Sequence, residues 1–376
     1  MILFVHHRYR SLGGEEAAVD GLLALVRERL GEDAELLTRD SSEIGRGRAA
    51  AGLLGGGLAP DEVTRAVRRT RARIVHAHNL HPTFGWRALA AARSAGAATV
   101  LHLHQYRLVC AIGTCFRDGR DCLSCHGANT LPGVIHNCRG SHSEAVTYGA
   151  SLALWSRRLA GLVDAFVVPS RFAAQRLREL GAPVGDPIVV PHMVDTPGVH
   201  VQRPSDGYAL LAARLVPEKG IEVAIKACEI AGVGLVVAGE GPERTRVEAD
   251  VKRDGPAVRF VGRVAPAELA QLRERAAVAL APSLSAESFG LAAAEAMAAG
   301  LPVAGSRIGA LPELLPDEWL APPGDARALA DVITRVIVDP DAGARALARV
   351  REISAPESVA PALTHAYERA VASRQI

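Results

Sequence analysis

Short apolar runs alternate with amphipathic segments along most of the chain, a pattern typical of repeated βαβ units on a parallel sheet. In the first half we predict strands at residues 2–5, 73–77, 99–103 and 165–168, with helices at 15–30, 60–71 and 82–94. In the second half we predict strands at 208–213, 234–238, 258–260 and 278–281, with helices at 218–231, 242–253, 266–275 and 356–373. The pattern therefore predicts an α/β protein with two Rossmann-like domains that face each other across a cleft.

Three segments interrupt this pattern. Residues 52–57 are rich in glycine and predict a mobile loop, and residues 191–205 have the composition of an interdomain linker. Residues 105–143, rich in Cys, Gly and His, have no clear period, and so long a segment in a compact domain is usually functional. We predict an N-terminal domain over 1–193 that contains this insert, a C-terminal domain over 194–355, and a terminal helix over 356–376 that packs back towards the N-terminal domain.

Composition removes several classes of protein. Neither half contains G-x-G-x-x-G, so a nicotinamide or flavin site has no support. The net charge is +2, and the chain lacks a long basic tract with interleaved aromatic residues, which argues against nucleic-acid binding. The first 193 residues carry a net +6, which would suit an anionic or membrane-surface acceptor and a peripheral membrane contact; the alternative is two ordinary solvated surfaces.

The apolar start at residues 1–5 is too short for a signal-peptide core, and no apolar run is long enough to span a bilayer. We therefore expect a cytoplasmic protein. In that compartment the six cysteines are expected to be thiols or metal ligands rather than structural disulfides.

Two glutamates, Glu287 and Glu295, mark the most informative stretch of the chain. We predict a helix that begins at Ser288 and runs through Glu295, with both carboxylates on a similar face. The first backbone N–H groups of a helix have no partner inside it, so those of Phe289, Gly290 and Leu291 would be ready for a phosphate or sugar oxygen. The alternative, that acids merely offset the helix dipole, would explain Glu287 but not Glu295.

Arg214 and Lys219 follow the first predicted strand of the second half. Two cations at the carboxyl end of a strand are well placed to hold a diphosphate and to stabilise it as it leaves. The alternative is a surface ion pair with Glu218 or Glu222.

Five of the six cysteines lie in the irregular segment. Cys122 and Cys125 have the spacing of a metal knuckle, and Cys110 and Cys138 flank them as a second pair. Four thiolates could hold one Zn²⁺ and order a loop that has no core of its own, and the same sulfur atoms could hold an iron–sulfur cluster. The alternative ligands are three histidines of the segment, His126, His136 and His142. Packed cysteines or a redox-active C-x-x-C pair are the competing interpretations.

The ordered set of motifs in the second half resembles the family-four retaining glycosyltransferases of the GT-B fold, and the resemblance covers essentially the whole chain. The matching residues are Arg214 with Lys219-Gly220, Gly239-Glu240-Gly241-Pro242, Phe260-Val261-Gly262, Pro282-Ser283, Glu287-Ser288-Phe289-Gly290 through Glu295-Ala296, and Gly300-Leu301-Pro302-Val303. Some relatives also carry a similar cysteine-rich insert, so the chain resembles that subgroup, and Cys115 is then the spare cysteine.

The resemblance implies a role for each matched position. Arg214 and Lys219 would grip the diphosphate of a nucleotide sugar, Glu287 the sugar hydroxyls and Glu295 the ribose. The resemblance places Gly241, Ser288 and the backbone of residues 289–291 beside the donor.

In the first half, Gly13-Gly14 resembles the family's glycine loop, and His104 resembles its active-site histidine near the sugar and the acceptor. Arg107 is a second candidate, and His76, His78 and Asn79 have weaker support.

Such enzymes transfer a hexose with retention and need no metal for transfer. The implied donor is a nucleotide diphosphate sugar. The acceptor is unidentified, with polysaccharides, glycolipids (anionic or lipid-linked) and natural-product intermediates as its classes. A GT-B sugar-nucleotide epimerase and a non-catalytic metal- or redox-sensing protein are the two alternative functions.

Overall fold

The structure is a computed structural model that describes residues 1–9, 13–196, 207–251 and 257–374. These residues form two compact units. The first comprises Met1–Cys115, Cys122–Met193 and Val359–Ile376, and the second comprises Phe116–Asp121 and Val194–Ser358. Ser11 and Leu12, which precede the predicted glycine loop at Gly13-Gly14, and most of the predicted linker lie outside the described residues. No helix in the described part of the chain is long and apolar enough to cross a bilayer.

The described strands account for three sheets. They are β1 (Ile2–Arg8), β2 (Ala34–Asp40), β3 (Ile74–Ala77), β4 (Ala98–His102), β5 (Phe116–Arg117), β6 (Arg120–Asp121), β7 (Ala165–Val168), β8 (Ile188–Val189), β9 (Tyr208–Ala212), β10 (Leu235–Ala238), β11 (Val258–Gly262), β12 (Ala276–Ala281), β13 (Val303–Ser306) and β14 (Leu320–Ala321).

Helices connect most of these strands. They are α1 (Gly14–Glu28), α2 (Arg46–Gly55), α3 (Pro60–Thr70), α4 (Gly85–Ser94), α5 (Leu131–Ile135), α6 (His142–Ala160), α7 (Arg171–Glu179), α8 (Ile221–Ala231), α9 (Arg244–Asp250), α10 (Pro266–Arg275), α11 (Leu291–Ala298), α12 (Leu311–Leu314), α13 (Ala326–Val338), α14 (Ala342–Ser354) and α15 (Pro356–Ala372). Single 3-10 turns occur at Ser41–Glu43, Pro217–Lys219 and Asp317–Trp319.

The first unit is built on a parallel sheet with the strand order β2-β1-β3-β4-β7-β8. Successive residues of β1 point to opposite faces, so Ile2 and Phe4 enter one core while Leu3 and Val5 enter the other. Burial on both faces explains why these strands are continuous apolar runs. Helix α15 contributes apolar residues, among them Leu363 and Tyr367, to the core that contains Phe4.

The second unit is built on a parallel sheet with the order β11-β10-β9-β12-β13-β14. Counted along the chain, this is the order 3-2-1-4-5-6. In sheets of this order the connections leave strands 1 and 4, here β9 and β12, in opposite directions. Ligands bind outside the carboxyl ends of these two strands, at what is called the switch point of the sheet. The residues that follow β9 and β12 are therefore the first place to look for a site. Both sheets confirm the predicted α/β class with two Rossmann-like domains.

Two sequence-based expectations for local structure are wrong. Residues 52–57 were expected to form a mobile loop, but α2 runs through Gly55, and Gly52 packs so tightly that a Cβ there would lie 2.6 Å from the carbonyl oxygen of Pro82. The glutamate-bearing helix begins at Leu291 rather than Ser288, because Gly290 adopts the left-handed conformation with φ of 97°. Ser288 and Phe289 therefore precede the helix.

Candidate functional site

In the second unit, the loops that follow β9 and β12 bring a lysine and a glutamate together. Nζ of Lys219 donates to Oε1 of Glu287 at 2.5 Å, and the Ser283 hydroxyl donates to the same oxygen at 2.6 Å. The side chains of Lys219 and Glu287 are 23% and 19% exposed, so the pair is sheltered but reachable. Of the two predicted cations, Arg214 is the more exposed, with 57% of its side chain accessible. Its Nη2 lies 3.7 Å from Oε1 of Glu218.

The Glu287 carboxyl is held in its charged form. Burial acts to raise its pKa, but the Lys219 ammonium, the Ser283 hydroxyl and the Arg214 charge together outweigh burial, so the pKa lies below the ordinary value. At neutral pH the site therefore presents one carboxylate beside two cations. Such a carboxylate can accept hydrogen bonds from sugar hydroxyls, and the cations can attract phosphate oxygens.

Close backbone contacts fix this arrangement. The Leu284 N–H donates to the Glu218 carbonyl at 2.9 Å, which joins the loop after β12 to the loop after β9. Gly220, with φ of 66°, lies directly against the carbonyl of Pro282, so close that a Cβ would come within 2.0 Å of the oxygen. Only glycine fits there, which explains why Lys219 is followed by Gly220.

A third segment, the loop that follows β13, contacts the backbone of Glu287. The Ala310 N–H donates to the Glu287 carbonyl at 2.9 Å. Gly309 has φ of 64°, and a Cβ on it would lie 2.3 Å from the backbone nitrogen of Glu287. Gly309 was not predicted as a site residue, because a lone glycine after a strand does not reveal which backbone it will contact.

The predicted glycine turn after β10 serves the loop that carries Arg214. The Leu215 N–H donates to the Glu240 carbonyl at 2.9 Å, and a Cβ on Gly241 would lie 2.2 Å from the Leu215 carbonyl oxygen. Gly241 therefore packs against the residue next to Arg214. This contact explains why residue 241 is a glycine. That Gly241 also lies beside a bound donor stays a prediction.

Glu295 has a different environment from Glu287. It lies within α11 and forms an ion pair with Arg273 of α10, a partner that the sequence pattern did not indicate. Glu287 was predicted directly before the helix that carries Glu295, and it lies on the loop four residues before that helix begins at Leu291. Phe289 is buried in the core of the unit, and the N–H groups at the start of the helix begin with Leu291, after the cap residue Gly290. The ribose role of Glu295 and the phosphate role of residues 288–291 stay predictions.

In the first unit, His104 lies just past the end of β4 in a row of buried imidazoles. Its Nε2 is 2.8 Å from Nδ1 of His78, and its Nδ1 is 3.0 Å from Nε2 of His192. Burial places the pKa values of His78 and His104 well below the ordinary value, and burial lowers that of His192 to about 4. The three rings are therefore neutral at pH 7, and each can donate one hydrogen bond and accept another.

A cavity beside His104 is lined by residues that follow β1, β3 and β4. Its polar lining residues are Tyr9, Glu15, His78, Asn79, His81, His102, His104, Gln105 and Arg107. Nη1 of Arg107 donates to the Tyr9 hydroxyl at 3.0 Å, and that hydroxyl donates to Glu15 at 3.1 Å. Burial raises the pKa of the Glu15 carboxyl. The predicted second candidate, Arg107, therefore lies beside His104.

Gly13 and Gly14 lie where β1 is followed by α1. The Gly13 N–H donates to Oε2 of Glu16 at 2.8 Å, and the Tyr9 N–H donates to the other oxygen of the same carboxylate. Gly13 and Gly14 are both exposed. Glu16 thus braces the start of α1, and contact of Gly13 and Gly14 with a donor stays a prediction.

The cysteine-rich segment shows a partial gathering of thiols. Cys122 N–H donates to the Cys115 carbonyl at 2.7 Å, and Sγ of Cys125 lies 3.5 Å from the position of a Cβ on Gly133, whose carbonyl accepts from Cys138. A hydrogen bond from Cys115 is the main cause that lowers the pKa of Cys110 to about 6. Burial, and then the charges of the other three predicted ligand cysteines, raise the pKa of Cys125 to about 11.

Among the described residues, no three of the four predicted sulfur ligands lie within 4.8 Å of one another. In the part of the chain that the structure describes, no disulfide is present, and the groups of three ligand atoms within 4.8 Å of one another consist of histidines. Four thiolates are suitable ligands for Zn²⁺, but their sulfur atoms would have to move closer together to bind it.

Comparison with protein families decides the class of this chain. The model described as "Glycosyltransferase Family 4" matches residues 42–197, and the model described as "Glycosyl transferases group 1" matches residues 197–352. The chain belongs to the family-four glycosyltransferases. The resemblance based on the sequence motifs is therefore confirmed, and the cysteine-rich subgroup stays a prediction.

Several curated relatives of this family-four glycosyltransferase are similar over part of its length. The chain is 36% identical over 143 residues to the amylovoran biosynthesis glycosyltransferase AmsK of Erwinia amylovora, covering 34% of this chain and 35% of that one. It is 33% identical over 213 residues to a GDP-mannose-dependent alpha-(1-6)-phosphatidylinositol dimannoside mannosyltransferase of Mycobacterium tuberculosis, covering 52% and 54%. The chain thus spans between about a third and about half of the length of these relatives.

Solved structures extend the likeness to the whole chain. Sucrose-phosphate synthase from Thermosynechococcus elongatus matches with a TM-score of 0.68 and 21% identity, covering 99% of both chains. HepE from Anabaena, in complex with UDP, matches with a TM-score of 0.64 and 18% identity, covering 97% of this chain and 98% of the other. At such identities the likeness shows the fold, and that fold is GT-B.

Proposed function

We propose that this family-four glycosyltransferase transfers a hexose from a nucleoside diphosphate sugar to an acceptor hydroxyl with retention of anomeric configuration. The observation that carries the proposal is the Lys219–Glu287 pair, braced by Ser283 and adjoined by Arg214, at the switch point of the second sheet. A donor of this class has two features to recognise: a doubly charged diphosphate and a sugar with neutral hydroxyls. The pair supplies one group suited to each.

The proposed chemistry follows from these charges. The bond between the anomeric carbon and the diphosphate oxygen breaks, and the acceptor oxygen forms a new bond to the same carbon on the same face. The acceptor proton passes to a phosphate oxygen. Negative charge grows on the leaving diphosphate, so Lys219 and Arg214 stabilise the transition state more than the ground state.

Glu287 is proposed to hold the sugar. It is ionised, partly exposed and fixed by two hydrogen bonds to the same oxygen, Oε1, so Oε2 is available to accept from a sugar hydroxyl. Glu295 is proposed to accept from the ribose, which requires its bond with Arg273 to be shared or exchanged. His104 is proposed to act beside the transferred sugar, as the family resemblance implies.

The names of similar proteins support the donor class. HepE was solved with UDP and with UDP-glucose, and the mycobacterial relative is named as GDP-mannose-dependent. The 2-deoxystreptamine glucosyltransferase of Streptomyces kanamyceticus is 33% identical over 49% of this chain and 53% of its own, and its name gives 2-deoxystreptamine. These relatives support a nucleotide sugar as donor and differ in acceptor class.

A structural zinc ion is proposed for the insert. Cys110, Cys122, Cys125 and Cys138 would hold it as thiolates, and it would tie together distant parts of the cysteine-rich segment. The backbone contacts between Cys115 and Cys122, and between Gly133 and Cys138, support the gathering. Transfer itself is proposed to need no metal.

Incubation with a panel of UDP-, GDP- and ADP-sugars tests the proposed function. We expect diphosphate release from one donor class, lost in Glu287→Ala, and a product glycoside with the anomeric configuration of the donor. A sugar nucleotide of altered stereochemistry without a glycoside would indicate an epimerase. Absence of both release and donor-dependent thermal stabilisation would contradict an enzyme and favour a non-catalytic protein.

A further inference from the structure

A row of histidines crosses one face of the sheet in the first unit. His76 lies in β3 and His78 two residues later, while His102 ends β4 and His104 follows two residues later. Alternate residues of a strand share a face, and the register that pairs Ala77 with Leu101 puts His78 beside His102. All four side chains are buried. Four buried imidazoles on one face demand a chemical reason, because each carries one donor and one acceptor that must find partners.

Three of these histidines carry ring nitrogens that find no hydrogen bond among the described residues. They are Nε2 of His76, Nε2 of His78, and both ring nitrogens of His102, which is 1% exposed. A buried polar atom without a hydrogen-bond partner destabilises the folded protein. Such atoms in a native core call for an unseen partner, and here they lie on neighbouring rings.

We propose that His76, His78 and His102 form a binding site for a late first-row divalent cation, with Zn²⁺ as its probe. One ring nitrogen from each of the three lies within 4.8 Å of the others. The ring centroids are 4.4 Å apart for His76 and His78, 5.6 Å for His76 and His102, and 5.4 Å for His78 and His102. Imidazole nitrogen is a preferred ligand of Zn²⁺, at about 2.0–2.1 Å.

The surroundings prepare the rings for this role. The Tyr367 hydroxyl lies 2.9 Å from Nδ1 of His76, so a proton held on Nδ1 leaves the lone pair of Nε2 for the ion. The rings of His76 and His102 now stack at 7°, so binding requires them to turn about χ2, a torsion that is broad for histidine. His78 and His102 also line the cavity beside His104, which offers a way in and room for a water as fourth ligand.

The ion would also fix the tautomer of His104, that is, which of its ring nitrogens carries the proton. The importance of this consequence rests on the proposed function. An ion on Nε2 of His78 leaves the His78 proton on Nδ1, which then donates to Nε2 of His104 across 2.8 Å. His104 must then carry its proton on Nδ1 and donate to His192. Without the ion, two tautomer arrangements of the three rings are possible: the hydrogen bonds can run from His78 through His104 to His192, or in the reverse direction. His76, His78 and His102 would thus position a residue of the reaction without touching the substrate.

The experiment uses the full chain with Cys122→Ser and Cys125→Ser, which removes the cysteine-rich segment as a competing site. Zn²⁺ binding is measured by competition with a chromophoric chelator, and Co²⁺ binding by its visible spectrum. We expect one ion per chain and cobalt bands without the intense sulfur-to-metal absorption that thiolates give. Absence of a bound equivalent in this protein would overturn the proposal.

Two variants locate the ion. His102→Phe and His76→Phe keep an aromatic ring in the core and remove a ligand, and each should weaken Zn²⁺ binding by at least about 100-fold. His365→Phe, at an exposed position of α15, should bind as the parent does. Circular dichroism confirms folding of each protein. Unchanged affinity in a folded His102→Phe or His76→Phe variant would also overturn the site, whatever the donor panel shows.

Discussion

Nζ of Lys219 lies 2.5 Å from Oε1 of Glu287, although 68 positions separate the two residues in the chain. The first follows β9 and the second follows β12, and these strands are neighbours in the sheet. A short charge-assisted contact between two loops at a switch point holds both groups in place before a ligand arrives, so binding need not order them. The donor site that we propose is built on this relationship.

Replacement of the carboxylate by an amide tests its charge. Glu287→Gln keeps an oxygen for Lys219 and Ser283 but loses the negative charge that favours sugar hydroxyls. A hydrogen bond to a charged group contributes about 1.5–3 kcal/mol, so kcat/KM for the donor should fall roughly 10- to 100-fold. Steady-state kinetics measures this loss.

The control for this variant is Glu229→Gln. Glu229 pairs with Lys226 at 2.9 Å in the same unit, and both lie in α8 rather than at the switch point. Its kinetics should match the wild type. Equal effects of the two substitutions would indicate that Glu287 acts only through stability.

Gly309 should be intolerant of any side chain. In Gly309→Ala the new Cβ would lie 2.3 Å from the nitrogen of Glu287, so the loop must shift and displace the carboxylate. The left-handed conformation alone costs about 1–2 kcal/mol for a non-glycine residue. Gly232→Ala isolates that cost, since Gly232 has φ of 69° with no atom within 4 Å of its Cβ position.

Chemical denaturation and donor affinity separate the two glycines. Gly309→Ala should lose more stability than Gly232→Ala and should also weaken donor binding, whereas Gly232→Ala should bind the donor normally. Similar stability and normal donor binding in both variants would show that the contact beneath Glu287 is unimportant.

The protein should lose stability in mild acid. Burial, followed by the charges of His6 and Arg39, lowers the pKa of His7 to about 4, and burial lowers that of His192 to about 4. In the unfolded chain both would titrate near 6.5, so below that pH the unfolded state binds more protons. The free energy of unfolding should thus fall as the pH drops from about 6.5 towards 4.

Urea denaturation at pH 7.5, 6.0 and 5.0 measures this dependence. Each such histidine contributes up to about 1.4 kcal/mol per pH unit. His7→Asn should flatten the slope by up to that amount, and His365→Asn, at an exposed position, should leave it unchanged. Stability that is constant or rises towards pH 5 would contradict the burial of neutral rings.

Purified protein should contain zinc bound by the cysteine-rich segment. Cys125→Ser removes a proposed ligand and should lower the zinc content by about one ion per chain, measured by elemental analysis. Cys228→Ser, a buried cysteine of α8, should leave the content unchanged. Equal zinc in Cys125→Ser and the wild type would show that the thiols do not hold the ion.

Much of the fold can be read from the sequence, because buried parallel strands are continuous apolar runs. The strand predicted at 165–168 has those bounds in the structure, and β9 ends one residue earlier than predicted. Strand β2 was missed because its residues, Ala34–Asp40, are mostly half-buried and do not form an apolar run. Helix α2 was missed because its glycines suggest a loop, whereas packing against the segment around Pro82 decides its structure.

The site was predictable in part. Lys219 and Glu287 could be named from their motifs, and the parallel topology explains why they meet. The partner of Glu295, Arg273, lies 22 positions away on another helix, and local patterns do not reveal such a pairing. The helix starts at Leu291 because Gly290 is left-handed. The sequence could not show this, since a glycine near a helix end can lie inside the helix or just outside it.

Diphosphate release from the donor sugar, compared between Lys219→Ala and Lys226→Ala, measures what Lys219 contributes to the proposed donor site. Loss of the Lys219 charge should slow release by about 10²- to 10³-fold, the loss typical when one group that stabilises developing charge is removed. Lys226→Ala, which removes a surface cation of the same unit, should release diphosphate at the wild-type rate. Wild-type release by a folded Lys219→Ala protein would contradict a donor site at the Lys219–Glu287 pair.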